Sequence, residues 1–270
     1  MTRVLRIVPF VCLVLLLAHQ LAAQSATSAA AAPVRDAQAV AAIQHSIVAL
    51  GGAVNLQVYN AVVQGTIHDV SSHPNLTATF VWKDDWSGSR PEFRRETHQG
   101  DLTDIFASGG GKPGNSHNGQ TTAVPFYAAY SCAAFHLPGI VLAVELADTR
   151  YSFSFMGDAS VDGAPAVEVQ TSLTTHPVTE ALTTQNWYFD AKSGLPLRVE
   201  YRVTSTLHIM KYKTVSIDFS NFSSVSGVLL PLQMREHGLA GETDIVTVTS
   251  VVLNSGVSPA DFVLLGGRTQ

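Results

Sequence analysis

Cys132 and His136 come nearest to a reaction centre by residue type and spacing. Four apart on a helix, they would share one side, and a thiol beside an imidazole is the pairing that nucleophilic catalysis uses. Reactivity also needs an electropositive, partly open setting, and the neighbours Ala133, Ala134, Phe135 and Leu137 offer the reverse. A buried structural cysteine fits these surroundings better. Asp84 and Asp85 form a paired carboxylate of the kind acid–base chemistry employs, but at a strand end the pair reads as a solvated turn. The histidines are scattered, with none at the i, i+4 spacing of a helical zinc site. A distant trio of His68, His98 and His208 has no cysteine pair to complete a metal shell. The glycine-rich run 109–114 fails as a phosphate loop, because Pro113 follows Lys112 and Phe106 stands where the first glycine belongs. No Gly-x-Ser-x-Gly elbow or Ser-x-x-Lys pair marks a nucleophile. Asn75-Leu-Thr and Asn221-Phe-Ser match the glycan acceptor pattern, relevant only in a glycosylating source. These residues predict no enzyme, no catalytic residue, no metal and no cofactor.

The elements around them are mainly strands. Asp36 caps a helix whose Val40, Ile43, Ile47 and Leu50 fall on one stripe, and Gly51-Gly52 ends it. From Asn60 the period becomes two: Leu76, Ala78, Phe80 and Trp82 face one way, Thr77, Thr79 and Lys83 the other. Strands are also expected over 61–69, 92–98 and 101–107, with 109–116 an exposed loop. Pro125 to Asp148, rich in alanine and leucine and split at Pro138-Gly139, predicts two short helices, apolar nearly all round and therefore buried. The second half reads as strand throughout. Its clearest alternation sets Leu195, Leu197, Val199, Tyr201 and Val203 against Arg198, Glu200 and Arg202. Two closing strands follow, around Gly227 to Pro231 and Thr243 to Asn254, and then a polar turn with Phe262 as an apolar plug. Hairpin-length links make the sheet an antiparallel meander.

At the amino terminus, Arg3 and Arg6 precede an apolar run from Ile7 to Ala18, and Leu21-Ala22-Ala23 supplies small residues for cleavage. These features predict a secretory signal over 1–23. The run falls short of the ~20 residues that cross a bilayer, so no membrane segment is expected after cleavage. An Ala/Ser/Thr-rich disordered leader over 24–34 and one domain over 35–270 would follow. Cleavage removes Cys12 and leaves Cys132 alone, so an exported chain must be held by its core instead of disulfides. It also takes the net charge from -5 to -7, mild acidity that argues against nucleic acid and anionic membranes as partners.

In order, these elements resemble the outer-membrane lipoprotein carrier superfamily, with its LolA-like fold. The likeness rests on the opening helix with Gly51-Gly52 and the strand Val62-Val63-x-Gly65-Thr66. It rests also on Trp187-Tyr-Phe-Asp190 before Ser193-Gly-Leu-Pro196-Leu-Arg198, and on the tail Gly227-x-x-Leu-Pro231, Val251-Val-Leu-Asn254 and Phe262. The resemblance implies an α+β, mostly β fold: a strongly curved antiparallel sheet, an unclosed half-barrel, with the amino-terminal helix and the central helical pair on its concave side. It implies a periplasmic carrier of a lipid, acyl chain or lipidated protein; an envelope module binding a protein partner is the alternative. The greater length than a typical carrier falls in 109–149 and 171–184, and no lipid-attachment cysteine is present. From the alternation itself, Phe80, Trp82, Phe153, Phe155, Leu197, Val199 and Tyr201 are the candidate lining of an apolar hollow. The helices at 125–147 would be its plug or lid.

Overall fold

The computed structural model describes residues 32–264, apart from 72–73, 75, 89–90, 206–207 and 239–240, and gives only the backbone of 131, 204–205 and 208–211. The expected signal, most of the expected leader and the Asn75 acceptor lie outside the described residues.

Helix α1 (Ala37–Ala49) begins where expected. Asp36 Oδ1 accepts from the Gln38 and Ala39 amides at 2.7 and 3.4 Å, satisfying two donors that the helix cannot. Gly51, at φ +119°, ends it, and a β-carbon there would sit 2.4 Å from the Gly227 carbonyl oxygen. That close approach seats the helix end on a hairpin, sealed by the Leu229 amide donating to the Leu50 carbonyl at 2.9 Å. A 3-10 turn, Gly52–Gln57, leads into the sheet.

Thirteen strands form that sheet: β1 (Asn60–Asp69), β2 (Thr77–Asp85), β3 (Glu92–Gln99), β4 (Leu102–Gly109), β5 (Lys112–His117), β6 (Gln120–Ala123), β7 (Tyr151–Val161), β8 (Ala164–Leu173), β9 (Gln185–Asp190), β10 (Pro196–Ser205), β11 (His208–Val225), β12 (Val228–His237) and β13 (Thr243–Leu253). Their order is β6-β5-β4-β3-β2-β1-β13-β12-β11-β10-β9-β8-β7, antiparallel at every ladder. β6 and β7 are edges, so the sheet does not close. It nevertheless bends. The 3-10 turn Phe126–Ser131 touches both β5 and β10, which a flat sheet would hold about 38 Å apart at ~4.8 Å per strand. Six residues of 3-10 turn bridge these strands only if the sheet curls around them.

One glycine sets this curvature locally. At the Gln64/Gly65 irregularity of β1, a β-carbon on Gly65 would lie 2.0 Å from the Thr247 carbonyl oxygen and 2.8 Å from the Phe80 ring. Phe80 packs where only glycine leaves room.

Helix α2 (Pro138–Ala147) fills the concave side. Pro138 sits in its first turn, where a missing N–H costs nothing, and every residue from Pro138 to Ala143 is buried. Of the expected helical pair, α2 is a helix. Its partner is the 3-10 turn Phe126–Ser131, less deeply set, with Phe126 65% exposed. Two further differences from the sequence reading concern backbone. Lys112–His117, expected as exposed loop, is strand β5, whose hydrogen bonds come from the ladder without help from apolar alternation. Helix α3 (Pro177–Thr183) interrupts the second half; His176 accepts from the Val178 amide and Pro177 opens the first turn. Phe262 is fully buried, but outside the concave core. It sits in the 3-10 turn Pro259–Phe262 against β3 and β4, where Asp261 pairs with Lys83 on the face opposite Trp82.

Candidate functional site

Six of the seven candidate lining residues meet in one core on the concave face. Phe80, Trp82, Phe153 and Val199 are buried there, with Phe155 and Tyr201 half-buried against them. Phe80 stacks on Trp82 at 4.1 Å between ring centroids, and Phe135 covers Tyr201 at 4.4 Å. Leu197 stands apart from this core: the β9–β10 ladder slips between Pro196 and Arg198, which breaks the alternation at that point and leaves Leu197 half-buried outside it. In the resting fold, α1, α2 and residues 134–137 already occupy the hollow. The six residues are the wall against which the helices sit.

The open apolar space lies one layer further out. A groove of about 540 Å³ runs between α1, the Gly52–Gln57 turn and α2, lined by Ile47, Val48, Leu56, Ala143, Leu146 and Ala147, with Gln44 as its polar member. Val48 and Leu56 are 69% and 65% exposed, high values for branched aliphatic side chains. The amino-terminal helix therefore presents two faces: Ala39, Ile43 and Ser46 point to the core, while Gln44, Ile47 and Val48 border the groove. A single predicted stripe through Val40, Ile43, Ile47 and Leu50 merges them. Exposed Val48 between two stripe members was the available signal.

Two polar networks fasten the helical layer to the sheet. In the first, Asp84 is buried, not solvated. Its Oδ1 accepts from Arg95 Nη2 at 2.6 Å and its Oδ2 accepts from His136 Nε2 at 3.0 Å. Burial would raise the Asp84 carboxyl, but Arg95 and His136 outweigh it and hold it below the ordinary carboxylate value. Burial is the larger influence on His136 and lowers it against the pull of Asp84, which leaves a neutral imidazole donating to a charged carboxylate. Cys132 is half-buried, and desolvation pushes its thiol up to about 12. That is the opposite of an activated nucleophile. Asp84 and His136 thus pin the 132–137 segment to β2, with Arg95 balancing the charge.

The second network joins α2 to β9. Trp187 Nε1 donates to Gln185 Oε1 at 2.8 Å, and Gln185 Nε2 donates to Glu145 Oε1 at 2.8 Å. Burial holds the Glu145 carboxyl up at about 7. Sequence reasoning passed over this residue; a lone acid inside an apolar helical run was its signal.

The histidines set aside as a metal trio do not gather into a site among the described residues. His68 contacts Thr77 at 3.2 Å, His98 contacts Thr103 at 3.1 Å and Glu96 at 2.9 Å, and the His208 side chain is outside the described residues. No helix among the described residues is long and apolar enough to cross a membrane, which says nothing of strands.

No family model and no curated protein matches the sequence. Solved structures do match the fold. A domain named for outer membrane lipoprotein sorting, from Vibrio parahaemolyticus, superposes with a TM-score of 0.53 at 11% identity, over 83% of this chain and 96% of that one. A DUF1329 family protein from Desulfovibrio piger gives 0.55 at 13% identity, over 84% and 97%. This chain shares their fold. A LolA superfamily protein from Nitrosomonas europaea aligns at 10% identity over 83% and 97%, with a TM-score of 0.47. The open antiparallel sheet that the sequence resemblance implied is the one the strand order shows.

Proposed function

We propose that the protein is a carrier of a lipid or other single-chain amphiphile in the cell envelope, without catalysis. The apolar groove between α1 and α2 carries the reading. The groove offers about 540 Å³ of open, apolar-lined space along which part of an acyl chain can lie. Each methylene taken from water contributes about 0.8 kcal/mol. The exposed Val48 and Leu56 gain that contribution only when something apolar covers them. Support also comes from the fold, shared with a domain named for lipoprotein sorting. Export to the periplasm rests on the charged, apolar and small-residue pattern at the amino terminus. Organic extraction of the purified protein, followed by mass spectrometry, tests the reading: one acyl-chain lipid per protein is expected, and a reproducibly lipid-free protein that also takes up none from added vesicles overturns it.

The alternative, a module for a protein partner, is favoured by a different observation. Strand β6 is an exposed edge with a ladder on one side only, a template for an added strand. A partner peptide protecting the 120–123 amides from hydrogen exchange, with no lipid recovered, would favour it.

A further inference from the structure

Glu145 is the one acid on α2, and it points inward. The residue is 3% exposed, its Oε1 is held by Gln185, and its Oε2 has no hydrogen-bond partner among the described residues. The Thr171 hydroxyl lies close enough to act on the carboxyl as a weak hydrogen-bond donor, but neither Glu145 Oε2 nor Thr171 Oγ1 closes a hydrogen bond of normal geometry among the described residues. A buried carboxylate needs a cation or several donors. This one has a single amide. The arrangement suits a protonated acid, neutral and still able to accept from Gln185.

The helix that Glu145 anchors is also the one that lines the groove, through Ala143, Leu146 and Ala147, and the one that covers the concave core. We propose that Glu145 is a proton-operated latch: protonated, it keeps α2 tied through Gln185 to β9, and deprotonated it loosens α2 and opens the groove that α2 forms with α1 to the ligand. This inference deepens the carrier reading and rests on it for the word ligand alone.

The surroundings are consistent with one dominant titration. Thr171 faces Glu145 from β8, and Gln185, backed by Trp187, faces it from β9. From β7 comes the Tyr151 phenol, itself raised chiefly by burial and then by Glu145. The residues that α1 buries, Ala39, Ile43 and Ser46, carry no charge. On β12 the buried residues are apolar, while Glu236, further along, is raised chiefly by burial and then by Asp244, against the pull of Arg95. The charged groups of the helix end, Arg35, Asp148 and Arg150, gather beyond its last turn, where Arg35 donates to the Leu146 and Asp148 carbonyls. Burial sets the Glu145 midpoint near 7, so the latch would work within the ordinary range of envelope pH.

Hydrogen exchange on residues 138–147 at pH 5.5 and 8.5, corrected for intrinsic rates, is the test, with Glu145→Gln as the neutral variant. Wild-type protection of this segment should fall at least tenfold at the higher pH, and the variant should keep the same protection at both. Equal protection of the wild type at both pH values overturns the latch, and so does a parallel loss in both proteins. Uptake of dodecyl maltoside micelle-delivered palmitate, measured alongside, separates the two ideas. Palmitate binding with pH-independent exchange keeps the carrier and refutes the latch, whereas a pH-dependent α2 with no palmitate bound keeps the latch and refutes the carrier.

Discussion

Replacing Glu145 by glutamine should stabilise the protein, and only on the alkaline side. In the fold the carboxyl titrates at about 7, against an ordinary value of 4.5. Below 4.5 both folded and unfolded chains hold the proton, and the group contributes nothing to the difference. Between the two values the folded state binds more protons than the unfolded one, so stability falls as pH rises. Above 7 the loss is complete, at roughly 3 kcal/mol from 1.36 kcal/mol per pH unit. The exposure of this side chain is low enough that solvent screening does not reduce the figure much. Glutamine keeps the oxygen that accepts from Gln185 and never ionises. Urea denaturation of both proteins at pH 4.5 and 8.5 is the assay. The two should agree within about 1 kcal/mol at pH 4.5, and the variant should lead by roughly 3 kcal/mol at pH 8.5. Glu236, also raised by burial to about 7, is present in both proteins and cancels in the comparison. A difference that is the same at both pH values would refute the reasoning, because it would mean that Glu145 is ionised in the fold.

Two substitutions probe the frame. Asp84→Ala should cost about 3 kcal/mol in chemical denaturation, since it leaves the half-buried Arg95 guanidinium without its carboxylate and removes the partner of the buried His136; a loss below about 1 kcal/mol would show the network to be dispensable. Gly65→Ala forces a methyl into the Thr247 carbonyl and the Phe80 ring, and should lower the thermal midpoint by 5 °C or more, or abolish soluble expression, whereas an unchanged midpoint would show that β1 can shift there.

What could be read from the chain followed from local chemistry. The Asp36 cap, the stripe of α1 and the alternation of Val199 and Tyr201 are each set by neighbours within a few positions, so period and propensity reveal them. Strand β5 escaped because Lys-Pro-Gly-Asn-Ser-His has no apolar face; its order comes from backbone pairing with β4. Leu197 fits the alternation but sits at a register slip that no period predicts. Asp84 looked solvated because its partners stand 11 and 52 residues away, and only the folded sheet brings Arg95 and His136 to it. The groove was hidden for a related reason. It belongs to no single element: Val48 and Leu56 form one wall and Leu146 the other, about ninety residues apart, and the sequence placed the hollow on the sheet side of the helices. That inner side is a packed core.

The central claim is that the groove between α1 and α2 holds an acyl chain, and isothermal titration with palmitate reads it directly. Wild type should bind one chain, and Val48→Asp with Leu56→Asp should weaken binding ten- to hundredfold, or about 1.4–2.8 kcal/mol, while leaving the denaturation curve in place because both side chains face solvent. Equal affinity in the two proteins, or no binding to either, would contradict the account.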